Sequence, residues 1–253
     1  MILDKFRLDG RVAIVTGAAR GLGQGMALGL AEAGADIVAV DILDLAESRD
    51  KIEALGRRCC PVTADLSRKE STAEIISAAQ AAMGSIDILV NNAGIIRRQP
   101  LLEFSEKNWD DVLDINLRSL FFLSQAAARI MVQQGRGGRI ISVASMLSFQ
   151  GGILVPSYTA AKSGVMGLTR ALANELSPYG ITANAIAPGY MATDNTAALQ
   201  ADPVRNKAIL ERIPAGRWGT PEDVQGVVVF LASAAAAYVT GYTIAVDGGW
   251  LAR

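Results

Sequence analysis

The chain has 253 residues, of which 51% are hydrophobic and 19% charged, and its 24 basic and 25 acidic side chains give a formal net charge of −1. This length suits one large α/β domain, and the near-neutral charge offers no electrostatic surface for nucleic acid or an anionic membrane. Histidine is absent and the two cysteines, Cys59 and Cys60, are adjacent, which excludes histidine-dependent hydrolases, a disulfide framework and a Cys/His metal site.

The cysteines and the distribution of charged residues also indicate the cellular compartment. We expect both thiols to be reduced in a cytoplasmic protein. Charged residues at positions 4, 5, 7, 9 and 11 leave no apolar stretch for a signal peptide. Residues 224–246 carry no charge and are long enough to span a bilayer, but Gln225, Ser233 and Thr240 favour a helix followed by a buried strand. We therefore expect no membrane partner.

Short β-branched runs alternate with longer helical patterns along the chain. The predicted strands are residues 12–16, 36–40, 58–63, 86–91, 139–143, 182–187 and 243–246, and the main predicted helical segments are 23–34, 46–55, 71–83, 108–134 and 157–177. This alternation predicts a parallel sheet covered by helices on both faces. The prediction is an α/β fold: a single doubly wound Rossmann-type domain over residues 1–253, with a parallel seven-stranded sheet.

The stretch 190–220 is long for a connection in a compact domain. We interpret it as a substrate lid made of irregular segments or short helices. It ends at Thr220 and Pro221, which suit the cap and the first position of a following helix.

A glycine-rich turn follows the first predicted strand. Its sequence is Thr16-Gly17-Ala18-Ala19-Arg20-Gly21-Leu22-Gly23, and a helical pattern begins directly after it. Glycines at such a turn let the backbone approach a pyrophosphate, and the helix N-terminus offers it unpaired N–H groups. Because the turn lies inside a βαβ unit, the sequence predicts dinucleotide binding.

The second predicted strand is followed by Asp41. A carboxylate there accepts the ribose hydroxyls of NAD(H) and repels the 2′-phosphate of NADP(H). Arg20 complicates the choice, because a guanidinium in the glycine turn can reach a phosphate. We expect NAD(H), with NADP(H) as the less favoured cofactor.

Without histidine, the proton-transferring group must be another side chain, and Tyr158 with Lys162 is the strongest candidate pair. The two residues are four apart on a predicted helix and so share one face. Lowering the tyrosine pKa by ~3 units from its usual ~10 requires ~4 kcal/mol of preference for phenolate. A unit charge ~4 Å away supplies about that amount at an effective dielectric constant of ~20. We therefore expect Lys162 to lower the pKa of Tyr158.

Several motifs, in this order along the chain, resemble the short-chain dehydrogenase/reductase family from Leu8 to the C-terminus. They are the glycine turn, Asp65, Asn91-Asn92-Ala93-Gly94, Asn116, Ser145, the Tyr158 and Lys162 pair, and Pro188-Gly189. The resemblance implies NAD(P)-dependent interconversion of an alcohol and a ketone.

The resemblance also implies a role for each matched residue. Tyr158 would be the general acid/base, Ser145 would hold the substrate oxygen, and Lys162 would lower the tyrosine pKa and bind the nicotinamide ribose. Asn116 would support a water-linked proton relay to Lys162. The other implied cofactor contacts are Gly17, Arg20, Gly21, Leu22, Gly23, Asp41, Asp65, Leu66, Asn92, Ala93, Gly94, Pro188, Gly189, Met191 and Thr193.

Arg97 and Arg98 follow the fourth predicted strand, at the sheet edge where open α/β folds bind ligands. A guanidinium there suits a carboxylate, although two solvated loop arginines fit the pattern equally well. Surrounding segments resemble sugar-acid dehydrogenases within the family, which implies a sugar-acid substrate of pectin or uronate breakdown and a homotetramer. Candidates for the pocket wall, with burial in the core as the alternative, are Met146, Gln150, Tyr190 and Trp218.

Two other interpretations stay open. The same chemistry serves gluconate-type polyols and 3-oxoacyl carrier-protein thioesters, and a carrier-protein partner would need a basic patch beside the pocket. In a different class, the chain would be a non-catalytic dinucleotide-binding regulator. The uncharged stretch 224–246 agrees with an oligomer, since homodimer-type interfaces bury apolar surface.

Overall fold

The computed structural model describes residues 1–253, except for the side chain of Asn195. Its strands are β1 (Val12–Thr16), β2 (Asp36–Asp41), β3 (Cys59–Thr63), β4 (Ile88–Asn91), β5 (Gly138–Val143), β6 (Ile181–Pro188) and β7 (Thr243–Val246). They form one parallel sheet in the order β3-β2-β1-β4-β5-β6-β7. The predicted doubly wound Rossmann-type fold is confirmed, with each predicted strand boundary within two residues of the observed one.

Helices lie along both faces of this sheet. They are α1 (Gly21–Glu32), α2 (Ala46–Ala54), α3 (Ser71–Met83), α4 (Glu106–Leu113), α5 (Ser119–Gln134), α6 (Pro156–Leu176), α7 (Ala197–Ala201), α8 (Pro203–Arg212) and α9 (Gln225–Ala232). None of the described helices has the length and apolar character needed to cross a membrane.

Alternate side chains of the central strands enter two separate cores. On one face, Val15 belongs to a buried cluster with Leu30 of α1 and Val228 of α9. On the other face, Ile14 belongs to a cluster that includes Leu123 of α5. Burying one such aliphatic side chain contributes about 1.5–3 kcal/mol, so the cores hold the helices against the sheet and fix the loops at its carboxyl edge.

The helical pattern predicted over residues 108–134 is interrupted in the structure. A π-helical segment, Asp114–Arg118, separates α4 from α5. The buried Asn116 lies in this segment, where its Oδ1 accepts the N–H of Ile95 and its Nδ2 donates to the Ile95 carbonyl, both at 2.8 Å. These two hydrogen bonds stabilise the π-helical segment, which the periodicity of the sequence does not reveal. π-Helical segments of this kind are frequent at functional sites.

The chain order of the strands determines where a ligand site forms. From β1 the chain passes to β2 and β3 on one side of the sheet, then crosses to β4 on the other side of β1. A crevice therefore opens outside the carboxyl ends of β1 and β4, where their connections diverge.

Candidate active site

The glycine turn between β1 and α1 lets another group approach the backbone closely. Gly17 has a φ of +67°, a left-handed conformation that favours glycine. A Cβ atom on Gly23 would lie 1.9 Å from the carbonyl oxygen of Gly17. The first turn of α1 holds no acidic residue, and among the described residues no side chain caps it. Its N–H groups can therefore bind an anion, so the turn fits the pyrophosphate of a dinucleotide.

Asn92 joins this turn to the end of β4. Its Nδ2 donates to the carbonyl oxygens of Thr16 and Gly17 at 2.9 and 3.2 Å. The backbone N–H groups of Asn92 and Ala93 donate to Thr16 Oγ1 at 3.0 and 3.1 Å. The Asn92 side chain therefore positions the glycine turn, in addition to lying beside the ligand crevice.

A cavity of about 750 Å³ occupies the crevice, a volume typical of cofactor sites. Predicted residues that line it are Gly17, Arg20, Gly21, Leu22, Gly23, Asp41, Asp65, Leu66, Asn92, Ala93, Gly94, Arg97, Tyr158, Lys162 and Thr193. Lining residues that sequence reasoning missed are Val40, Ile42, Leu43, Ala64, Ile95, Ile96, Ile115, Val143, Ala192, Asp194 and Pro221. Five of the eleven, Val40, Ile42, Leu43, Ala64 and Val143, lie within two residues of the carboxyl end of a strand, and that position is the signal that could have identified them.

Asp41 and Arg20 lie at the β2 end of this cavity. The Asp41 carboxylate accepts the N–H of Ala19 on Oδ2 and that of Leu43 on Oδ1, both at 3.0 Å. Arg20 Nη1 lies 2.6 Å from Asp194 Oδ2, with both side chains well exposed. Backbone donors therefore orient the carboxylate at the cavity wall, while the guanidinium is paired with the segment that follows β6.

Tyr158 and Lys162 project from α6 at the β5 end of the cavity. Lys162 is 3% exposed, and its Nζ lies 5.6 Å from the Tyr158 ring centroid and donates to the Val143 carbonyl at 2.6 Å. The Ser145 side chain is close enough to Tyr158 to act on the pKa of the phenol in the lowering direction, and Ser145 Oγ accepts the N–H of Leu147 at 3.1 Å. The structure thus brings the predicted serine, tyrosine and lysine together.

Burial has the largest influence on the Tyr158 phenol. It raises the pKa of Tyr158, while Ser145 and the charge of Arg98 act in the lowering direction. The largest influences on this phenol are burial, Ser145 and Arg98, and the expectation that Lys162 lowers the pKa of Tyr158 stays a prediction. The Lys162 ammonium is directed at the Val143 carbonyl, and its own burial lowers the pKa of Lys162 to about 8.

This buried lysine predicts a pH-dependent stability difference. Burial lowers the pKa of Lys162 from 10.5 to about 8, so the unfolded chain holds a proton that the folded chain releases between these values. The free energy of unfolding should gain about 3 kcal/mol from this group as pH rises from about 8 to 10.5. Lys162→Met lacks the group, so its stability relative to the wild type should fall by about that amount. Urea denaturation across this pH range measures it, and a constant difference between the two proteins would contradict the assignment.

Asn116 lies beside the cavity, with both ends of its amide bonded to Ile95. A Cβ atom on Gly94 would lie 3.0 Å from Asn116 Oδ1, so the two residues pack closely. In this arrangement the Asn116 side chain positions the segment after β4, and the relay to Lys162 stays a prediction.

Arg97 and Arg98 have different environments at this edge. Arg97 lines the cavity, and its Nη2 lies 3.6 Å from Asp111 Oδ2. Arg98 is exposed, and its positive charge acts on the Tyr158 phenol. Arg98 is therefore the better placed of the two to meet a substrate carboxylate near the reacting groups.

Gln99 ties the arginine-bearing segment to the loop that leads into α6. Its N–H donates to the carbonyl of Leu154 at 3.0 Å, and its Oε1 accepts from Ser105 N–H and Asn108 Nδ2 at 3.1 and 2.8 Å. Leu154 has a φ of +67°, an uncommon conformation for a bulky residue and one found at functional sites. These contacts hold Arg97 and Arg98 in one arrangement relative to α6.

Three of the four residues predicted for the pocket wall lie in an apolar cluster. Met146, Tyr190 and Trp218 pack there with Trp250, and the Tyr190 ring centroid lies 5.3 Å from that of Trp218 and 4.8 Å from that of Trp250. Gln150 is half-buried and accepts a long 3.5 Å hydrogen bond from α8. Met146, Tyr190 and Trp218 therefore pack against apolar residues of the α8 region, and the role of all four residues in a pocket wall stays a prediction.

The segment after β6 also differs from the implied pattern. Pro188 and Gly189 lie outside the described cavity wall. Met191 is 4% exposed, and its sulfur packs over Gly219, where a Cβ atom would lie 2.3 Å from it. The backbone bridge between Met191 and Gly219 accompanies this inward orientation, so Thr193 rather than Met191 reaches the cavity.

The stretch predicted as a lid is closed at its base. Ala192 N–H donates to the Gly219 carbonyl at 2.7 Å, and Gly219 N–H donates to the Tyr190 carbonyl at 2.9 Å. Between these ends lie a 3₁₀ turn at Asp194–Thr196, α7 and α8. The stretch is therefore an ordered helical insertion beside the cavity.

Comparison with known proteins agrees with this geometry. A family model described as enoyl-(acyl carrier protein) reductase matches residues 17–251. The 2-dehydro-3-deoxy-D-gluconate 5-dehydrogenases of Dickeya dadantii (strain 3937) and Escherichia coli (strain K12) are each 62% identical over 253 residues, with 100% of both chains covered. A solved Agrobacterium tumefaciens structure, assigned as a 2-deoxy-D-gluconate 3-dehydrogenase with bound NADP, is 55% identical with a TM-score of 0.90 and covers 98% of this chain and 99% of that one. Matches of this extent show that the chain belongs to the short-chain dehydrogenase/reductase family of dinucleotide-dependent oxidoreductases.

Proposed function

We propose that this enzyme interconverts a secondary alcohol and a ketone on a keto- or deoxy-sugar acid, with carbon 5 of 2-dehydro-3-deoxy-D-gluconate as the reacting position. The identity to the Dickeya and Escherichia enzymes supports this reaction. The structural observation that carries it is the placement of Tyr158 and Lys162 in the cavity wall, with Lys162 Nζ 5.6 Å from the Tyr158 ring centroid. Ser145 and Arg98 are close enough to act on the pKa of the phenol. A proton-transferring group therefore lines the cavity, and a cation for a carboxylate lies near it.

In the proposed mechanism, a bound nicotinamide dinucleotide supplies or accepts the hydride. Ser145 and Tyr158 hydrogen-bond to the reacting oxygen of the substrate, and Tyr158 exchanges a proton with it. Lys162 is charged at neutral pH, since its pKa is about 8, and this charge favours the phenolate form. Its position at the cavity wall also suits a ribose hydroxyl.

The direction of the Tyr158 shift fits ketone reduction. Because burial raises the pKa of Tyr158, the phenol keeps its proton at neutral pH and can donate it to a forming alkoxide. Oxidation of the alcohol requires the phenolate, and the positive charges of Arg98 and Lys162 favour that form.

We propose NAD(H) as the preferred cofactor. Asp41 presents a carboxylate at the β2 end of the cavity, already oriented by two backbone N–H groups. The next two residues, Ile42 and Leu43, also line the cavity and are uncharged, so this edge offers no cation directly after the carboxylate. A 2′-phosphate there would meet repulsion from Asp41, and no cation follows that carboxylate directly in the sequence. The NADP in the Agrobacterium structure makes a direct comparison of both cofactors essential.

A substrate panel tests the proposed reaction. Initial rates should be followed with NADH and NADPH against keto- and deoxy-sugar acids, a gluconate-type polyol and a 3-oxoacyl carrier-protein thioester. The proposal requires the highest kcat/KM with a sugar acid and NADH. A higher value with the thioester would replace it by the carrier-protein alternative.

Removing the arginines tests recognition of the carboxylate. Arg98→Ala should raise KM for a sugar acid by about 10- to 100-fold, because a charge-assisted hydrogen bond contributes about 1.5–3 kcal/mol. Arg97→Ala should have a smaller effect, since Arg97 is paired with Asp111. Steady-state kinetics with the acid and with its uncharged alcohol analogue separate carboxylate binding from other losses.

The matched control is Arg7→Ala, which removes an exposed arginine paired with Asp9 away from the cavity. KM values equal to the wild type in both the Arg97 and Arg98 variants would reject carboxylate recognition by this segment.

We further propose that the 190–220 insertion acts as a substrate lid and that the enzyme is a cytoplasmic homotetramer. The free thiols of Cys59 and Cys60 fit a reducing compartment. The edge strand β7 is preceded by the exposed Tyr238 and Tyr242, which fits an apolar interface. A monomer in sedimentation analysis would contradict the tetramer.

A further inference from the structure

The ion pair between Arg20 and Asp194 joins two parts of the chain that both line the cavity. Arg20 is the residue before α1 in the glycine turn, and Asp194 begins the 3₁₀ turn of the 190–220 insertion. Their side chains meet at 2.6 Å and are 62% and 68% exposed. Solvent screens such a pair, which contributes about 0–1 kcal/mol, so a more strongly charged partner can displace Asp194.

The position of Arg20 relates this ion pair to cofactor binding. The residue before it, Ala19, donates its N–H to the Asp41 carboxylate, so Arg20 adjoins the part of the cavity proposed to hold the adenosine ribose. Among the described lining residues the other cations are Arg97 and Lys162. Arg97 follows β4, and Lys162 contacts Val143 at the end of β5. These strands are two and three positions from β2 in the sheet, which is a distance of about 10–15 Å. Arg20 is thus the cation best placed for a 2′-phosphate.

We propose that Asp194 is a specificity-determining residue for the cofactor, because its ion pair with Arg20 withholds that guanidinium from the 2′-phosphate of NADP(H). Asp41 disfavours the phosphate by direct repulsion, and Asp194 disfavours it by occupying the available cation. The inference rests on the proposed use of NAD(H) and adds a second residue, 153 positions away in sequence, to that preference.

Binding of the two oxidised cofactors to the full-length protein tests this role without turnover. In Asp194→Asn, Arg20 loses its charged partner. The ratio of Kd for NADP⁺ to Kd for NAD⁺ should fall by about 3- to 10-fold, since an arginine–phosphate contact is charge-assisted. Isothermal titration calorimetry at low and high salt measures both constants, and the gain should shrink at high salt.

Two further variants make the result decisive. Asp202→Asn removes an acid from the same insertion, where Asp202 caps α8 through Val204 and Arg205 N–H groups, and asparagine caps a helix equally well. This control should leave the Kd ratio unchanged. In an Arg20→Gln background, Asp194→Asn should also give no gain.

An unchanged ratio of Kd for NADP⁺ to Kd for NAD⁺ in Asp194→Asn would overturn the inference. An equal fall in this ratio in Asp202→Asn, or a fall caused by Asp194→Asn in the Arg20→Gln background, would also overturn it. A wild type that binds NADP⁺ more tightly than NAD⁺ would instead contradict the proposed cofactor preference. The contribution of Asp194 would still be measurable in that case, because it is defined by the change in the ratio.

Discussion

Tyr158→Phe should lower kcat by about 10²- to 10⁴-fold, the usual contribution of a positioned general acid/base. The substitution removes the phenol hydroxyl near Ser145 and keeps the ring beside Lys162. Because the ring still lines the cavity, Kd for NAD⁺ should stay within about threefold of the wild type. Steady-state rates with the preferred sugar acid and calorimetric titration with NAD⁺ measure the two effects.

Tyr179→Phe is the matched control for this variant. Tyr179 is 54% exposed and lies in the 3₁₀ turn after α6, so its loss should leave both parameters unchanged. Activity of Tyr158→Phe within threefold of the wild type would reject Tyr158 as the proton-transferring group. A wild type that binds NAD⁺ but turns over no member of the substrate panel would favour the non-catalytic regulator.

Gly23→Ala should weaken dinucleotide binding by more than about 100-fold and destabilise the fold. The added Cβ would lie 1.9 Å from the Gly17 carbonyl oxygen and 2.5 Å from Asn92 Nδ2. The Gly17 carbonyl is part of the glycine turn and Asn92 Nδ2 is hydrogen-bonded to that turn, so the turn must move. Overpacking of this kind costs about 1–3 kcal/mol, which corresponds to a fall in Tm of about 2–12 °C for a domain of this size. Thermal unfolding and calorimetry with NAD⁺ test both effects.

Gly167→Ala provides the comparison for this change. A Cβ atom at Gly167 meets nothing within 4 Å, and the residue lies inside α6, where alanine is favoured over glycine by about 0.5–1 kcal/mol. Its Tm should equal or exceed that of the wild type. Wild-type NAD⁺ affinity in Gly23→Ala would show that the glycine turn does not hold the cofactor.

Most strands and helices were predictable because they depend on residues that are close together in the sequence. The strands of the sheet are runs of residues such as Ile14 and Val38 that are buried on both faces, and a run of that kind is visible in the sequence. The pairing of Tyr158 with Lys162 was predictable because helical geometry brings residues four apart onto one face. The 108–134 segment was less predictable, since its π-helical segment is accompanied by bonds between Asn116 and Ile95.

The orientation of apolar residues near the site was not predictable in the same way. Met191 follows the Pro188-Gly189 motif of the resemblance, yet its side chain packs over Gly219. The Tyr190 ring packs edge-on against Trp218 and against Trp250, and the role of Tyr190 and Trp218 in a pocket wall stays a prediction. A methionine or aromatic side chain contacts whichever apolar surface lies nearest after folding, and its residue type is the same in either place.

The sheet, the glycine turn and the Tyr158 and Lys162 pair were predictable from the sequence, because backbone conformation, burial pattern and helical spacing are local properties. The direction of the Tyr158 pKa shift depends on the assembled fold, since it reflects burial together with Ser145 and Arg98. The assembled fold also decided the pairing of Arg20 with Asp194, 174 positions apart. Charge and solvent exposure act through space, so these properties depend on which distant segments the fold brings together.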